Sequence, residues 1–139
     1  MERILSHSTQ ETEAFALSFA KRLHPGDVIA LRGGMGVGKT AFVRGLAQGL
    51  GVAGEVTSPT FALVHEHEGD IPLYHFDMYR VTSLDDLYST GFFDYLDTGA
   101  VLVVEWSENI AGALPKGHLA VTLRRLSDTE REIIIEEQV

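Results

Sequence analysis

The amino-acid sequence predicts an α/β domain with a mainly parallel central sheet and antiparallel additions. Three stretches carry that prediction. Ala100-Val101-Leu102-Val103-Val104 is short, apolar and rich in β-branched residues, which suits a strand buried on both faces of a parallel sheet. Val28 to Leu31 is a second apolar run that leads into a glycine-rich loop and then a helical pattern. The chain closes on two strand-like runs, Leu119 to Leu123 and Arg131 to Glu136, with Ser127-Asp128-Thr129 between them as a hairpin loop.

Each element has its own signal. Ser8-Thr9-Gln10-Glu11 has the form of a capping box, and Phe15, Ala16, Phe19, Ala20 and Leu23 recur behind it at helical spacing, giving a helix over about 9 to 23. Pro25-Gly26-Asp27 turns the chain into the strand Val28 to Leu31. After Thr40, the residues Phe42, Val43, Leu46, Ala47 and Leu50 mark one face of a helix that Gly51 ends. Thr57-Ser58-Pro59-Thr60 reads as a loop, and strands follow from about Phe61 to Glu66 and from Leu73 to Phe76, joined by Gly69-Asp70. Ser83-Leu84-Asp85-Asp86 is a second capping box by type, opening short helical segments to about Leu96. Residues 107 to 113 read as a short helix and Pro115-Lys116-Gly117 as a turn.

Bulk properties narrow the function. The 139 residues fit a single domain over 1–139, long enough to bury a core without staples. No cysteine is present, which excludes disulfides, zinc–thiolate sites and cysteine nucleophiles. The first fifteen residues lack the basic start and apolar core of a secretion signal. The longest apolar runs fall far short of the ~20 residues that cross a bilayer. A soluble cytoplasmic protein with no membrane association is the simple reading. Eleven basic and twenty acidic side chains give a formal charge of −9, which argues against a broad electrostatic grip on nucleic acid. A protein partner that itself holds nucleic acid is compatible with that charge.

The chemistry centres on Gly33-Gly34-Met35-Gly36-Val37-Gly38-Lys39-Thr40, a P-loop in its required context of strand, loop and helix. Phosphate oxygens need several converging N–H donors. Gly33, Gly34, Gly36 and Gly38 let the backbone approach closely and permit positive φ, and the helix that continues through Ala41 adds its free N–H groups and dipole. Lys39 is placed to reach the β- and γ-phosphates, and the Thr40 hydroxyl to ligate Mg²⁺. The pattern predicts a P-loop NTPase-like three-layer domain that binds ATP with Mg²⁺.

A P-loop works with an acidic residue at the end of another strand. Asp77 and Glu105 both qualify, and the residues themselves leave open which touches the metal and which positions water. Thr57, Ser58 and Thr60 fit either a connecting turn or a segment that orders around the γ-phosphate. His65, His67 and His75 invite a metal site, but His65 and His67 share one strand face without an evident third ligand and read as exposed strand histidines. Trp106 either covers the site or closes the core, packing being the default for a tryptophan. Phe92, Phe93 and Tyr95 fit a partner face or the core.

With these residues placed, the chain resembles the TsaE family, also called YjeE, over nearly its whole length. The resemblance rests on the P-loop, on Val56-Thr57-Ser58-Pro59-Thr60-Phe61, on Leu73-Tyr74-His75-Phe76-Asp77-Met78-Tyr79-Arg80 and on the apolar strand into Glu105-Trp106. It implies a bacterial ATPase needed for threonylcarbamoyladenosine formation in tRNA. Thr40 and Glu105 would bind Mg²⁺, Asp77 would support hydrolysis, Thr60 would belong to a switch-like element, and Trp106 would sit beside the nucleotide. The implied partner is the TsaB–TsaD pair, which this ATPase would reset by hydrolysis, meeting tRNA only indirectly through the complex. Two departures stand out. Gly34 occupies a position where the family often has an acid, and Ser107-Glu108-Asn109 stands where it often reads Pro-Glu-Arg.

The main rival is a small-molecule or nucleotide kinase using the same P-loop, but Arg44 and Arg80 are isolated and no lid-sized insertion is visible. A GTPase would show an Asn-Lys-x-Asp motif, and none occurs. A nucleotide-dependent interaction module that does not hydrolyse is the third alternative. With no evident arginine finger, slow or partner-dependent hydrolysis is expected.

Overall fold

The computed structural model describes residues 1–34, 36–53 and 64–138, with the backbone alone for Asn109 and Ala111. Seven strands form one sheet in the order β1-β7-β6-β2-β5-β4-β3. They are β1 (Glu2–Ser6), β2 (Val28–Arg32), β3 (Val64–His67), β4 (Leu73–Asp77), β5 (Val101–Glu105), β6 (Leu119–Arg125) and β7 (Arg131–Glu137). The centre β6-β2-β5-β4 is parallel, and β3, β7 and β1 add antiparallel at the two sides. The expected α/β three-layer architecture is therefore the observed one. β1 is the element missing from the sequence reading. Its five residues alternate partly buried and exposed positions before ending on buried Ser6, and they pair with β7 from Glu2↔Ile135 to Ser6↔Arg131.

Helices α1 (Thr9–Ala20) and α2 (Lys39–Gly49) cover one face. The Ser8 hydroxyl accepts the Glu11 N–H at 3.0 Å, as the capping box predicts, while Glu11 reaches back to the N–H of His7. Gly45 and Gly49 let the helices touch, since a Cβ at Gly45 would stand 2.3 Å from the Glu13 carbonyl oxygen and one at Gly49 2.5 Å from the Ala20 Cβ. Phe15, Phe19 and Phe42 pack together beneath, with ring centroids 6.0–6.4 Å apart.

The other face is closed by shorter pieces: α3 (Leu84–Ser89), α4 (Phe92–Tyr95) and a kinked 3-10 segment, Ser107–Ala113. Aromatic rings do the packing there. Phe76 meets Phe92 and Tyr95 edge-on at 5.5 and 5.1 Å, contacts worth ~0.5–1.5 kcal/mol each beyond area burial. Phe92 is fully buried and Tyr95 packs partly buried against this cluster, so the core accounts for those two rings, while Phe93 packs against it and also lines an open groove.

Alternation along β4 and β5 assigns the faces. Leu73, Val101 and Val103 belong to the α1–α2 core, whereas Phe76, Leu102 and Val104 belong to the aromatic one. His75, Asp77 and Glu105 therefore share the α1–α2 face at the carboxyl end of the sheet. The glycine loop leaves the carboxyl end of β2, between β5 and β6. Ligands of open α/β sheets bind at such a crevice. No helix among the described residues is long and apolar enough to cross a membrane.

Candidate nucleotide site

The loop after β2 takes the shape its glycines allow. Gly33, Gly36 and Gly38 have φ of +146°, +74° and +99°, while Gly34 does not use the left-handed region. Gly33 also has no room for a side chain, because a Cβ would lie 2.8 Å from the Leu123 carbonyl oxygen and 2.7 Å from the partly buried Val37. Gly38 is the N-cap of α2 and lends it no side-chain hydrogen bond, which leaves the first N–H groups of the helix for an incoming oxyanion. Lys39 and Thr40 form the first turn, with Thr40 exposed and Ala41 buried behind them.

Lys39 Nζ lies 3.1 Å from Glu105 Oε1 and 5.6 Å from the centre of the Trp106 ring. The other carboxylate oxygen, Oε2, is 2.5 Å from His75 Nε2. An ionised carboxylate only accepts, so His75 donates from Nε2. Burial alone would push the Glu105 carboxyl up. The His75 hydrogen bond, the His75 charge and then Lys39 outweigh it and hold Glu105 below the usual carboxylate value. His75 is buried, and its Nδ1 finds no hydrogen-bond partner among the described residues.

Asp77 is the register partner of Glu105 on the adjacent strand. It is half-buried, and its Oδ1 accepts the Tyr79 N–H at 2.9 Å. The Met78 N–H donates to the Glu105 carbonyl at 3.0 Å, which ties the exits of β4 and β5 together. Trp106 is 40% exposed with its ring beside the Lys39 ammonium, so it does not close the core. Its φ of 59° places a non-glycine residue in left-handed backbone, a conformation that costs ~1–2 kcal/mol.

A cavity of about 330 Å³ adjoins the loop, bounded by His7-Ser8-Thr9 and Thr12 on one side, Gly36, Gly38 and Ala41 below, and Asp128, Thr129 and Arg131 on the other. Arg131 ties its wall together, donating to the Ser127 carbonyl at 2.8 Å, the Glu130 carbonyl at 3.0 Å and the Gly36 carbonyl at 3.4 Å. Met35 and the segment Thr57, Ser58, Pro59, Thr60 and Phe61 lie outside the described residues.

The structure thus brings Gly33, Gly36, Val37, Gly38, Lys39, Thr40, Asp77, Glu105 and Trp106 to one end of the sheet. His75 and the residues of the adjoining cavity are what sequence reasoning missed. For His75 the available signal was its place two residues before Asp77, on the same strand face. His65 and His67 are half-buried instead of exposed, with His65 opposite His75 across the β3–β4 ladder. Burial, then the charges of His75 and His65, lower the His67 pKa. No group of three or more His, Cys, Asp or Glu among the described residues could hold a metal ion. A hydroxyl, an ionised carboxylate and a lysine at a glycine cradle nevertheless suit a phosphate-bound divalent cation, which retains most of its coordination from water and phosphate.

Comparison with known proteins shows the family and the fold. A family model described as "Threonylcarbamoyl adenosine biosynthesis protein TsaE" matches residues 6–133. The "tRNA threonylcarbamoyladenosine biosynthesis protein TsaE" of Treponema pallidum is 41% identical over 133 residues, covering 96% of this chain and 98% of the relative. Its namesake from Bacillus subtilis is 42% identical over 125 residues, covering 89% and 78%. The crystal structure of Bacillus subtilis YdiB superposes with a TM-score of 0.83 at 35% identity, covering 99% of this chain and 86% of that one. The chain belongs to the TsaE family of threonylcarbamoyladenosine biosynthesis proteins.

Proposed function

We propose that the protein is a magnesium-dependent ATP hydrolase that acts in threonylcarbamoyladenosine formation in tRNA by binding the TsaB–TsaD pair and resetting it between turnovers. The observation that carries the reading is the convergence of Lys39 and Glu105 at the mouth of a glycine cradle, with Glu105 kept ionised by His75. The N–H groups at Gly36, Gly38 and Lys39 bind phosphate oxygens, and Lys39 exchanges its contact with Glu105 for the β- and γ-phosphates. Thr40 and Glu105 would hold Mg²⁺, which would supply charge neutralisation for the phosphoryl group being transferred. Asp77, beside Glu105 in register, orients the attacking water.

The cavity between His7-Ser8-Thr9 and Asp128–Arg131 takes adenine and ribose, since it opens directly onto Gly36 and Gly38. Arg131 is the arginine that reaches the loop, yet it is occupied with three carbonyls and does not act as a finger on the γ-phosphate. Hydrolysis by the isolated protein is therefore slow and depends on its partner. The acidic balance of the chain supports contact with tRNA through TsaB–TsaD alone.

The test is a purified assay with TsaB, TsaD, threonylcarbamoyl-adenylate and tRNA, asking whether this protein and ATP sustain repeated turnovers. Lys39→Ala and Glu105→Ala are expected to abolish that support. Normal tRNA modification with either variant would remove the site assignment. Fast phosphoryl transfer to a small acceptor by the protein alone would remove the hydrolase reading.

A further inference from the structure

We propose that the groove between α3 and the 3-10 segment is a docking site for a protein that inserts an apolar side chain flanked by Lys or Arg. The inference rests on the reading that TsaB–TsaD is the partner, and it assigns the surface through which that pair is met. The groove encloses about 620 Å³ and is floored by Leu87, Phe93 and Ile110, with Leu84 on its rim. Leu84 is 59% exposed, and Tyr88, whose ring lies 4.9 Å from that of Phe93, is 62% exposed. Large apolar side chains gathered around a concave surface mark a binding site more often than scattered ones do.

Charge says what fits there. From residue 81 to residue 115 the chain contains no lysine or arginine. Asp85, Asp86, Asp94, Asp97 and Glu108 are all exposed along that stretch, and Glu108 lines the groove itself. Asp86 accepts from the N–H and hydroxyl of Thr82 on the groove wall, and an apolar floor with Asp86 and Glu108 on its rim suits a basic protein surface with an apolar anchor. The same rim repels the phosphates of a nucleic acid.

The walls also connect to the chemistry. β4 carries Asp77 and passes through buried Met78 and Val81 to Thr82 on one wall, while β5 carries Glu105 and passes through Trp106 to the other. The Met78 N–H on the Glu105 carbonyl joins the two exits. A partner that shifts either wall biases the acids behind it, and by linkage nucleotide binding biases affinity for the partner equally.

The experiment titrates purified TsaB–TsaD with the intact chain by calorimetry, in the presence of ATP and Mg²⁺. Two double variants are compared with the parent: Leu84→Glu with Tyr88→Glu, and Asp94→Lys with Glu108→Lys. The first is expected to bind at least about tenfold more weakly. The second is expected to weaken binding and flatten its salt dependence, with melting and ATP affinity retained in both. Amide exchange of the parent protein adds a readout that needs no variant, with protection at 82–88 and 107–113 expected in the complex. A parent that binds while the first variant binds equally well, or shows no such protection, overturns the groove and leaves the partner reading standing. Tighter binding by the lysine variant overturns it too. Failure of the parent to bind TsaB–TsaD overturns the partner reading and the groove together.

Discussion

The two faces of the sheet are built in different ways. On one, α1 and α2 are long helices brought into backbone contact by Gly45 and Gly49, over a core of aliphatic side chains and three phenylalanines. On the other, α3, α4 and the 3-10 segment are each a turn or two long and rely on edge-on contacts around Phe76. The closed face packs the buried side of α2 behind Lys39 and Thr40, at the end where the glycine loop enters the helix. The segmented face is made from what emerges after Asp77 and Glu105, and it leaves a groove. The continuous helical packing thus lies behind the glycine loop, and the grooved surface lies beyond the two acids.

The adjacent residues His75 and Phe76 point to opposite faces and allow the sharpest attack on this comparison. Phe76→Ala is expected to cost about 3–5 kcal/mol in denaturant unfolding, because a few rings carry the segmented face. A loss below about 1 kcal/mol would show that the aromatic cluster is dispensable. Gly45→Ala should cost less, about 1–3 kcal/mol in the same measurement, because the added Cβ forces α1 away from α2 against the small helical preference for alanine. A stabilised variant would mean that the helices do not depend on their close approach.

His75→Ala should leave most of the stability in place yet weaken magnesium-dependent ATP affinity by about tenfold, since Glu105 loses the donor that orients it. His75→Gln, which keeps a donor, should recover part of that affinity. Calorimetry with and without Mg²⁺ separates this outcome from general damage, which would lower both affinities alike.

The smallest effect concerns alkaline pH. The Tyr95 hydroxyl donates to Glu66 Oε1 at 2.5 Å, and that bond, followed by burial and the Glu66 charge, pushes its pKa up to about 12 from 10.0. The folded state therefore retains a proton that the unfolded chain releases. Stability from this bond is complete below pH 10 and declines as pH rises towards 12. Tyr95→Phe should show a shallower decline in melting temperature over that interval, and identical slopes would exclude the link.

Much of this was legible in the sequence, for identifiable physical reasons. Helix α2 shows itself through Phe42, Val43, Leu46 and Ala47, and β5 through its unbroken apolar run, since both patterns are local. GGMGVGKT carries its own chemistry. β1 escaped because Glu2–Ser6 is short and its pairing partner β7 lies at the far end of the chain. The bond from His75 to Glu105 escaped for a similar reason. It spans 30 residues and depends on two strands lying side by side, which no spacing rule encodes. The cavity of about 330 Å³ joins the β1–α1 turn to the β6–β7 hairpin, and the same argument covers it.

Trp106 has a practical consequence of another kind. It is the one tryptophan in the chain, and its ring has the Lys39 ammonium on one side and Tyr79 4.9 Å away. Indole emission responds to a nearby cation and to changes in solvent contact. In the proposed function phosphate draws Lys39 off Glu105; the ring would then lose that charge, and the colour and yield of its light should shift. On that proposal the protein supplies an optical signal of its own, with no label attached, by which nucleotide arrival and departure would be timed.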